Sequence, residues 1–332
     1  GSFNIPGTGS FITLDEGTGL WNKPFVNAED GFDRNAVRLI RVPTERLQFN
    51  ANLNYDINDN ITFFSESSYM NVQSRSRLEP SIAGQFISVG SIPNLRIPVD
   101  NPFIPAELQT LIDDANAGLT TPEDEILFRR RFTEIGPRSN DNQRQVFRSA
   151  FGIEGDLPES MGGFSYELYY QFGTFTQDIV GGGVYNTANF LNALNVEDDG
   201  MGGLQCVDSL ARDLGCVPLN LFGGAGSISG DALAYIQTGQ QTTARMEQNV
   251  LAGNITGDLT ELPAGPLGFA AGFEYREEFS SFTSDALAQT GLTSGNTTPN
   301  TSGRYDVYEF FGEVNIPLLA DAAFADYLGL EG

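Results

Sequence analysis

The side chains best suited to chemistry in this chain are carboxylates, and their spacing is wrong for most of it. Asp56-Ile-Asn-Asp-Asn60 begins like a calcium loop. Its sixth position is Ile61 where a glycine is needed, and its twelfth is Ser67 where a bidentate Glu is needed. That segment reads as a hairpin turn. Glu197-Asp198-Asp199-Gly200 is a denser cluster, also without the closing Glu, and reads as a solvated charge run with calcium as the alternative. Gly223-Gly-Ala-Gly226 is not followed by Lys-Ser/Thr, so it reads as flexible backbone rather than a phosphate cradle. Sequons at Asn60, Asn254, Asn296 and Asn300 read as chance matches.

The chain contains no histidine, which removes Ser-His-Asp and Cys-His nucleophilic sites, His-ligated zinc and His-ligated haem together. Paired carboxylates of a hydrolase have no spacing motif behind them. The expectation is therefore no catalytic residue, no metal site, no cofactor and no enzyme. With 18 basic against 43 acidic residues and a net charge of −25, nucleic acid is excluded as a partner. Cys206 and Cys216 read as a disulfide closing a small loop in an oxidising compartment, with two free thiols as the alternative.

The remaining polar side chains are placed by strands. From Arg46 to Ile57 every second residue is apolar, so Leu47, Phe49, Ala51, Leu53, Tyr55 and Ile57 share one face. The pattern returns in strands near 61–74, 143–156, 164–173, 243–260, 267–281 and 304–316, about seven in all. It puts Phe63, Tyr69, Phe147, Phe151, Tyr166, Phe273 and Phe310 among the apolar positions. Glu66, Arg148, Glu154, Glu167, Glu274, Arg276, Glu309 and Glu313 fall on the opposite side. Charges at mid-strand need a wet lumen or paired partners. The favoured reading is paired charges along a hydrated barrel wall, against guiding a ligand or docking a plug.

Connections between these strands alternate between very short and very long. Asn58-Asp59-Asn60, Leu157–Gly163 and Leu262–Pro266 are tight turns, whereas the regions near 75–142, 181–242 and 285–302 are long loops. Helices are expected at Pro105–Gly118, near Ser229–Ile236 and starting at Pro122. Loop aromatics Trp21, Phe103, Tyr185, Phe190 and Phe222 either contact a ligand or pack the loops together, and packing is the better reading for each. No run approaches the ~20 apolar residues of a spanning helix, which leaves membrane strands open. The fold class is all-β: an antiparallel transmembrane β-barrel section with short periplasmic turns and long extracellular loops. Residues 1–44 read as an extracellular loop segment, 45–319 as the partial barrel, and 320–332 as a periplasmic turn or the start of a next strand. The first residues, Gly-Ser-Phe-Asn-Ile-Pro, carry neither an initiator Met nor a leader pattern, which reads as a processed, engineered or partial chain.

Four stretches resemble the barrel of TonB-dependent receptors of Gram-negative bacteria. They are Val42-Pro-Thr-Glu-Arg-Leu47, Gly215-Cys-Val-Pro-Leu-Asn-Leu-Phe-Gly223, the run from Gly257 to Glu278 containing Pro-Ala-Gly-Pro and Gly-Phe-Glu-Tyr-Arg, and Val307–Leu319. The resemblance implies a barrel of about 22 strands filled by a plug. It also implies import of a scarce ligand, such as a ferric siderophore or an oligosaccharide, driven through TonB. Plug and TonB box are not recognisable, so the chain reads as a middle section of an outer-membrane receptor. Its partners would be outer-membrane lipid, the remainder of the barrel and plug, TonB through that plug, and the ligand. The alternative from another class is a secreted or surface β-rich binding protein whose strands pair with other chains.

Overall fold

The alternating segments form eight antiparallel strands whose order in the sheet is their order in the chain. They are β1 (Thr44–Asn58), β2 (Ile61–Pro80), β3 (Pro137–Asp156), β4 (Ser165–Tyr185), β5 (Gln237–Leu262), β6 (Gly265–Ser284), β7 (Thr301–Ala322) and β8 (Ala325–Glu331). Each pairs only with its sequence neighbours, and the sheet is open, with β1 and β8 as its edges. This is a computed structural model, and it describes residues 1–84, 95–224 and 226–332. Part of the loop expected near 75–142 (85–94), and Ala225 in the Gly223–Gly226 run, lie outside the described residues.

At one end of the sheet the strands reverse tightly. The β1–β2 turn is fixed by Asn58, whose Oδ1 accepts from the Asn60 amide at 2.9 Å. This is the hairpin expected in place of a calcium loop, and it shows the Asx chemistry of such turns. Further short reversals follow β3, β5 and β7. At the other end the connections after β2, β4 and β6 are long, as the sequence predicts. The strands reach further into those loops than expected: β2 runs to Pro80, β3 starts at Pro137 and β5 starts at Gln237. Beyond the seven strands, Ala325–Glu331 in the segment read as a turn or the start of a next strand forms an eighth. Ala325–Glu331 is too short for its alternation to stand out, but pairing Ile316 with Leu330 and Leu319 with Leu328 fixes it.

The long connections and the first 44 residues build a unit of their own. Ser2–Asn4, Phe11–Asp15, Leu20–Pro24, Ile82–Gly84, Arg96–Pro98 and Glu125–Arg131 form a six-stranded sheet. Strands within 1–44 were not foreseen, because they are short and lie among glycines. The helix expected to start at Pro122 is a correction of the same kind. In Glu125–Arg131 the residues Ile126, Phe128 and Arg130 are buried while Leu127, Arg129 and Arg131 are not, which is strand periodicity. Pairing with Ser2–Asn4, Ile82–Gly84 and Arg96–Pro98 outweighs the local helix signal.

Three helices in this unit bury an i, i+4 stripe, the spacing that puts two side chains on one helix face. In α1 (Ala106–Ala117) the stripe is Leu108 and Ile112, in α2 (Thr187–Leu194) Phe190 and Leu194, and in α4 (Gly230–Ile236) Ala232 and Ile236. Asn186 caps α2 by accepting from the amides of Ala188 and Asn189 at 3.0 and 3.1 Å, and Ser229 caps α4 through the Ala232 amide at 3.2 Å. A shorter helix, α3 (Ser209–Asp213), is capped by Asp208. The hydrophobic kernel of the molecule lies here. Phe3, Trp21, Phe128, Phe132, Tyr185, Phe190 and Phe222 interlock, with Phe3 and Phe222 stacked at 4.4 Å. Phe103 packs against the same kernel, so the loop aromatics serve packing.

Candidate functional site

The register determines what each face of the large sheet presents. Residues paired across antiparallel strands share a face, so one row can be followed through the sheet. Tyr55, Phe63, Ile153, Leu168, Gly253, Phe273 and Phe310 form one such row. Leu53, Ser65, Phe151, Tyr170, Leu251, Tyr275 and Tyr308 form the next. In these two rows, nearest the short turns, this face is mostly apolar, while toward the long connections it carries the pairs Arg245–Glu247 and Arg304–Glu277. Phe49 is 62% exposed, Phe310 84%, and Phe151, on a central strand, 46%. Phe49, Tyr166, Phe273 and Phe310 are absent from the kernel described above.

Aromatic rings also roof glycines on this sheet. A Cβ on Gly253 would lie 2.9 Å from Cε1 of Phe273, its cross-strand partner. Gly272 lies in the same way beneath Phe311 on the opposite face. The glycines let large rings lie flat against the backbone of a twisted sheet.

The opposite face carries every charge singled out in the sequence. Glu66, Arg148, Glu154, Glu167, Glu274, Arg276, Glu309 and Glu313 all stand on it by register. They do not form one cluster. Arg148 reaches Glu66 at 3.5 Å, and Arg276 bridges Glu274 at 2.7 Å and Glu278 at 3.2 Å. Glu167 accepts from Nδ2 of Asn254 at 3.0 Å. Among the described residues Glu154, Glu309 and Glu313 make no ion pair. Glu154 stands directly opposite Glu167, and Glu274 opposite Glu309.

A lateral ladder of polar side chains ties these charges together from β2 to β7. Arg148 Nε donates to Gln171 Oε1 at 2.8 Å, and Gln171 Nε2 donates to Gln248 Oε1 at 2.9 Å. Gln248 Nε2 donates to Glu278 Oε1 at 3.1 Å, and the Tyr305 hydroxyl donates to Glu278 Oε2 at 2.7 Å. Gln248, Glu278 and Tyr305 were not among the sequence candidates. They lie beyond the cleanly alternating part of their strands, and only the register reveals them. Chemically the face is an array of donors and acceptors with no nucleophile–base pair. It suits contact with water and hydrated solutes.

Above the sheet, charges hold the loop unit together. Arg38 donates to both carboxylate oxygens of Glu79, at 2.6 and 2.9 Å, and Arg138 donates to the same group at 3.0 Å. This ties the exposed stretch before β1 to the top of β2. Arg130 is buried, and it donates to the carbonyls of Leu221 and Gly223 at 3.0 Å each and to Glu134 at 2.5 Å. Thus Gly223 and Gly224 turn their carbonyls toward a cation, while the Gly226 amide donates to Glu134. Burial pushes the Glu134 carboxyl upward most strongly. Its own amide, the charge and hydrogen bond of Arg130, and the Gly226 amide together outweigh that and leave it below the usual carboxylate range.

Cys206 and Cys216 form a disulfide with their Cα atoms 6.3 Å apart, a normal spacing. The acidic run beside it is consumed by its own backbone. Asp199 accepts from the amides of Met201 and Gly203 at 2.7 and 2.8 Å, and Asp198 from Gly200 at 2.6 Å. The amides of Gly203 and Met201 hold the Asp199 carboxyl below its ordinary value. Among the described residues no group of three or more acidic or sulfur side chains is arranged to hold a metal ion.

The architecture is thus that of an open antiparallel meander, apolar on one face in the rows nearest the short turns and polar on the other, with short turns at one end and a folded loop unit at the other. No helix is long and apolar enough to cross a membrane among the described residues, which says nothing of strands. No family model matches the sequence, and no curated protein matches it. Among solved structures it is similar to the siderophore receptor PiuA from Acinetobacter baumannii, at 11% identity and a TM-score of 0.34, over 82% of this chain and 30% of that one. It is also similar to the open form of the ferric-catecholate import receptor Fiu from E. coli K12, at 11% identity and a TM-score of 0.28, over 82% of this chain and 32% of that one. The chain spans less than a third of the length of either receptor.

Proposed function

We propose that this chain is a section of wall and external loops from an outer-membrane active transporter of the TonB-dependent kind. In this reading the apolar face meets outer-membrane lipid, and the polar face lines a hydrated passage shared with a plug. The remainder of the barrel pairs with the open edges, and TonB acts through the plug. The loop unit faces the outside and captures a scarce nutrient, such as a ferric siderophore or an oligosaccharide. No bond of the ligand is broken, so no catalytic group is assigned.

One observation carries this reading: large apolar side chains of one face of the sheet, Phe49, Phe151, Leu251 and Phe310 among them, stand exposed, while the hydrophobic kernel lies in the loops. A water-soluble sandwich would bury that face against a second sheet. Alternation of short and long connections supports the same orientation, because barrels of this class keep short turns on the periplasmic side.

Lipid contact is tested with brominated phospholipid vesicles. In a Trp21→Phe background, single tryptophans replace Phe151 and Leu251 on one face and Gln171 and Gln248 on the other. Strong quenching at the first two positions and weak quenching at the others is expected. Equal quenching on both faces, or none anywhere, rejects the assignment. Ligand capture is read separately, by binding of the full chain to a panel of ferric siderophores and neutral oligosaccharides.

A further inference from the structure

Four guanidiniums share one carboxylate where the stretch before β1 meets the ends of β2 and β3. Glu79 is buried, and Arg38 and Arg138 both donate to its Oε1, at 2.9 and 3.0 Å. Arg131 lies beside them. It donates through Nη1 to the Pro80 carbonyl at 2.8 Å, with its guanidinium 5.4 Å from the centre of the Phe32 ring. Arg34 stands within electrostatic reach of Arg131, and among the described residues its guanidinium makes no hydrogen bond or ion pair. Burial works against the Arg131 cation and Glu79 favours it, but Arg138, Arg34 and Arg38 all work against it, and the balance holds it below its ordinary value.

Elsewhere in the chain a cation has a carboxylate of its own: Arg75 has Asp141, Arg148 has Glu66 and Arg245 has Glu247. Here four cations meet one anion, in a protein of net charge −25. The field of the whole chain repels anions, so only a local reversal of sign lets one settle. Arg38 and Arg138 each spend Nε and Nη2 on Glu79, which leaves the Nη1 of each without a hydrogen bond among the described residues. Both side chains are reachable from solution, 42% and 39% exposed. A second carboxylate would offset only one of the surplus charges. A phosphoryl group carries roughly −2 near neutrality, and its oxygens match the guanidinium fork. We propose that Arg34, Arg38, Arg131 and Arg138 seat a phosphoryl group, either of a soluble phosphate or of a lipid headgroup. The inference rests on the loop unit alone and stands whether or not the sheet spans a membrane.

The probes are inorganic pyrophosphate and, separately, phosphatidic acid in micelles of a neutral detergent, with phosphatidylcholine micelles as the blank. The full chain is treated with phenylglyoxal, which modifies accessible arginines, and the modified sites are mapped by mass spectrometry. Protection of Arg34 and Arg38 is expected, while Arg46, exposed on β1, stays labelled. By calorimetry, Arg34→Gln should weaken pyrophosphate binding about tenfold, the loss of one charge-assisted hydrogen bond. Arg46→Gln should leave it unchanged. Because the Arg34 guanidinium holds nothing else in place, its removal should not unfold the chain, and unchanged circular dichroism establishes this. Protection by pyrophosphate supports a seat for soluble phosphates, and protection by phosphatidic acid alone supports a seat for headgroups. Failure of both probes to protect, binding indifferent to Arg34→Gln, or citrate binding as tightly as pyrophosphate overturns the proposal.

Discussion

Glu274 and Glu309 face each other across β6 and β7, two carboxylates in direct cross-strand register. Arg276 lies on the same face and is engaged by Glu274 at 2.7 Å, and among the described residues Glu309 makes no ion pair. Like charges directly opposite cost roughly 0.2–1 kcal/mol. Glu309→Gln should therefore stabilise the sheet by about 0.5 kcal/mol, more at low salt than at high. Denaturant unfolding at two salt concentrations measures both quantities. A loss of stability instead would mean that Glu309 holds a cation of its own.

Gly253 offers a second test. Its missing side chain admits the Phe273 ring at 2.9 Å, the Leu168 side chain at 3.1 Å and the Glu167 carbonyl at 3.3 Å. Backbone does not yield as a flexible side chain does. Gly253→Val should cost about 1–3 kcal/mol through overpacking. Pairing with Phe273→Ala should recover part of that loss, because the ring is the movable obstacle. A double-mutant cycle on unfolding midpoints reads the coupling.

For the loop unit the relevant variable is pH. The Glu134 carboxyl is held below the carboxylate range, so its charged form is favoured by folding. A depressed folded value gives stability that is full above the unfolded value, about 4.3, and is lost as pH falls through the folded one. Glu134→Gln should lower the melting temperature most near neutrality, with the gap closing in acid below about pH 4. Trp21 reports the transition, because it is buried in the same kernel.

The Cys206–Cys216 bridge closes a short loop. Entropy of a chain that size assigns it roughly 3 kcal/mol, within the usual range for such links. Reduction, or Cys216→Ser, should open the segment between the two positions to proteolysis while leaving the large sheet folded. Limited digestion followed by mass spectrometry separates these outcomes.

Much of the large sheet was legible because a strand imposes a period of two. Leu47 to Ile57, Phe147 to Ile153 and Tyr166 to Phe172 alternate cleanly, and each lies in a strand at the expected place. The face of every charge from Glu66 to Glu313 followed from the same parity. What stayed hidden depended on partners far away in sequence. Glu125–Arg131 becomes a strand because Ser2–Asn4 and Ile82–Gly84 pair with it. Gln248 and Glu278 join the ladder through register that neither strand encodes alone. Arg130 binds the carbonyls of a glycine run some ninety residues away, and no local pattern announces such a contact.

Since strand order and chain order coincide from β1 to β8, no register depends on any hairpin other than its neighbours. Duplicating or removing one up-and-down pair would change the width of the sheet by two strands and leave the more distant pairings intact. Evolution thus has a simple way to widen or narrow such a sheet, in increments of a hairpin. The loops above can diversify at their own pace.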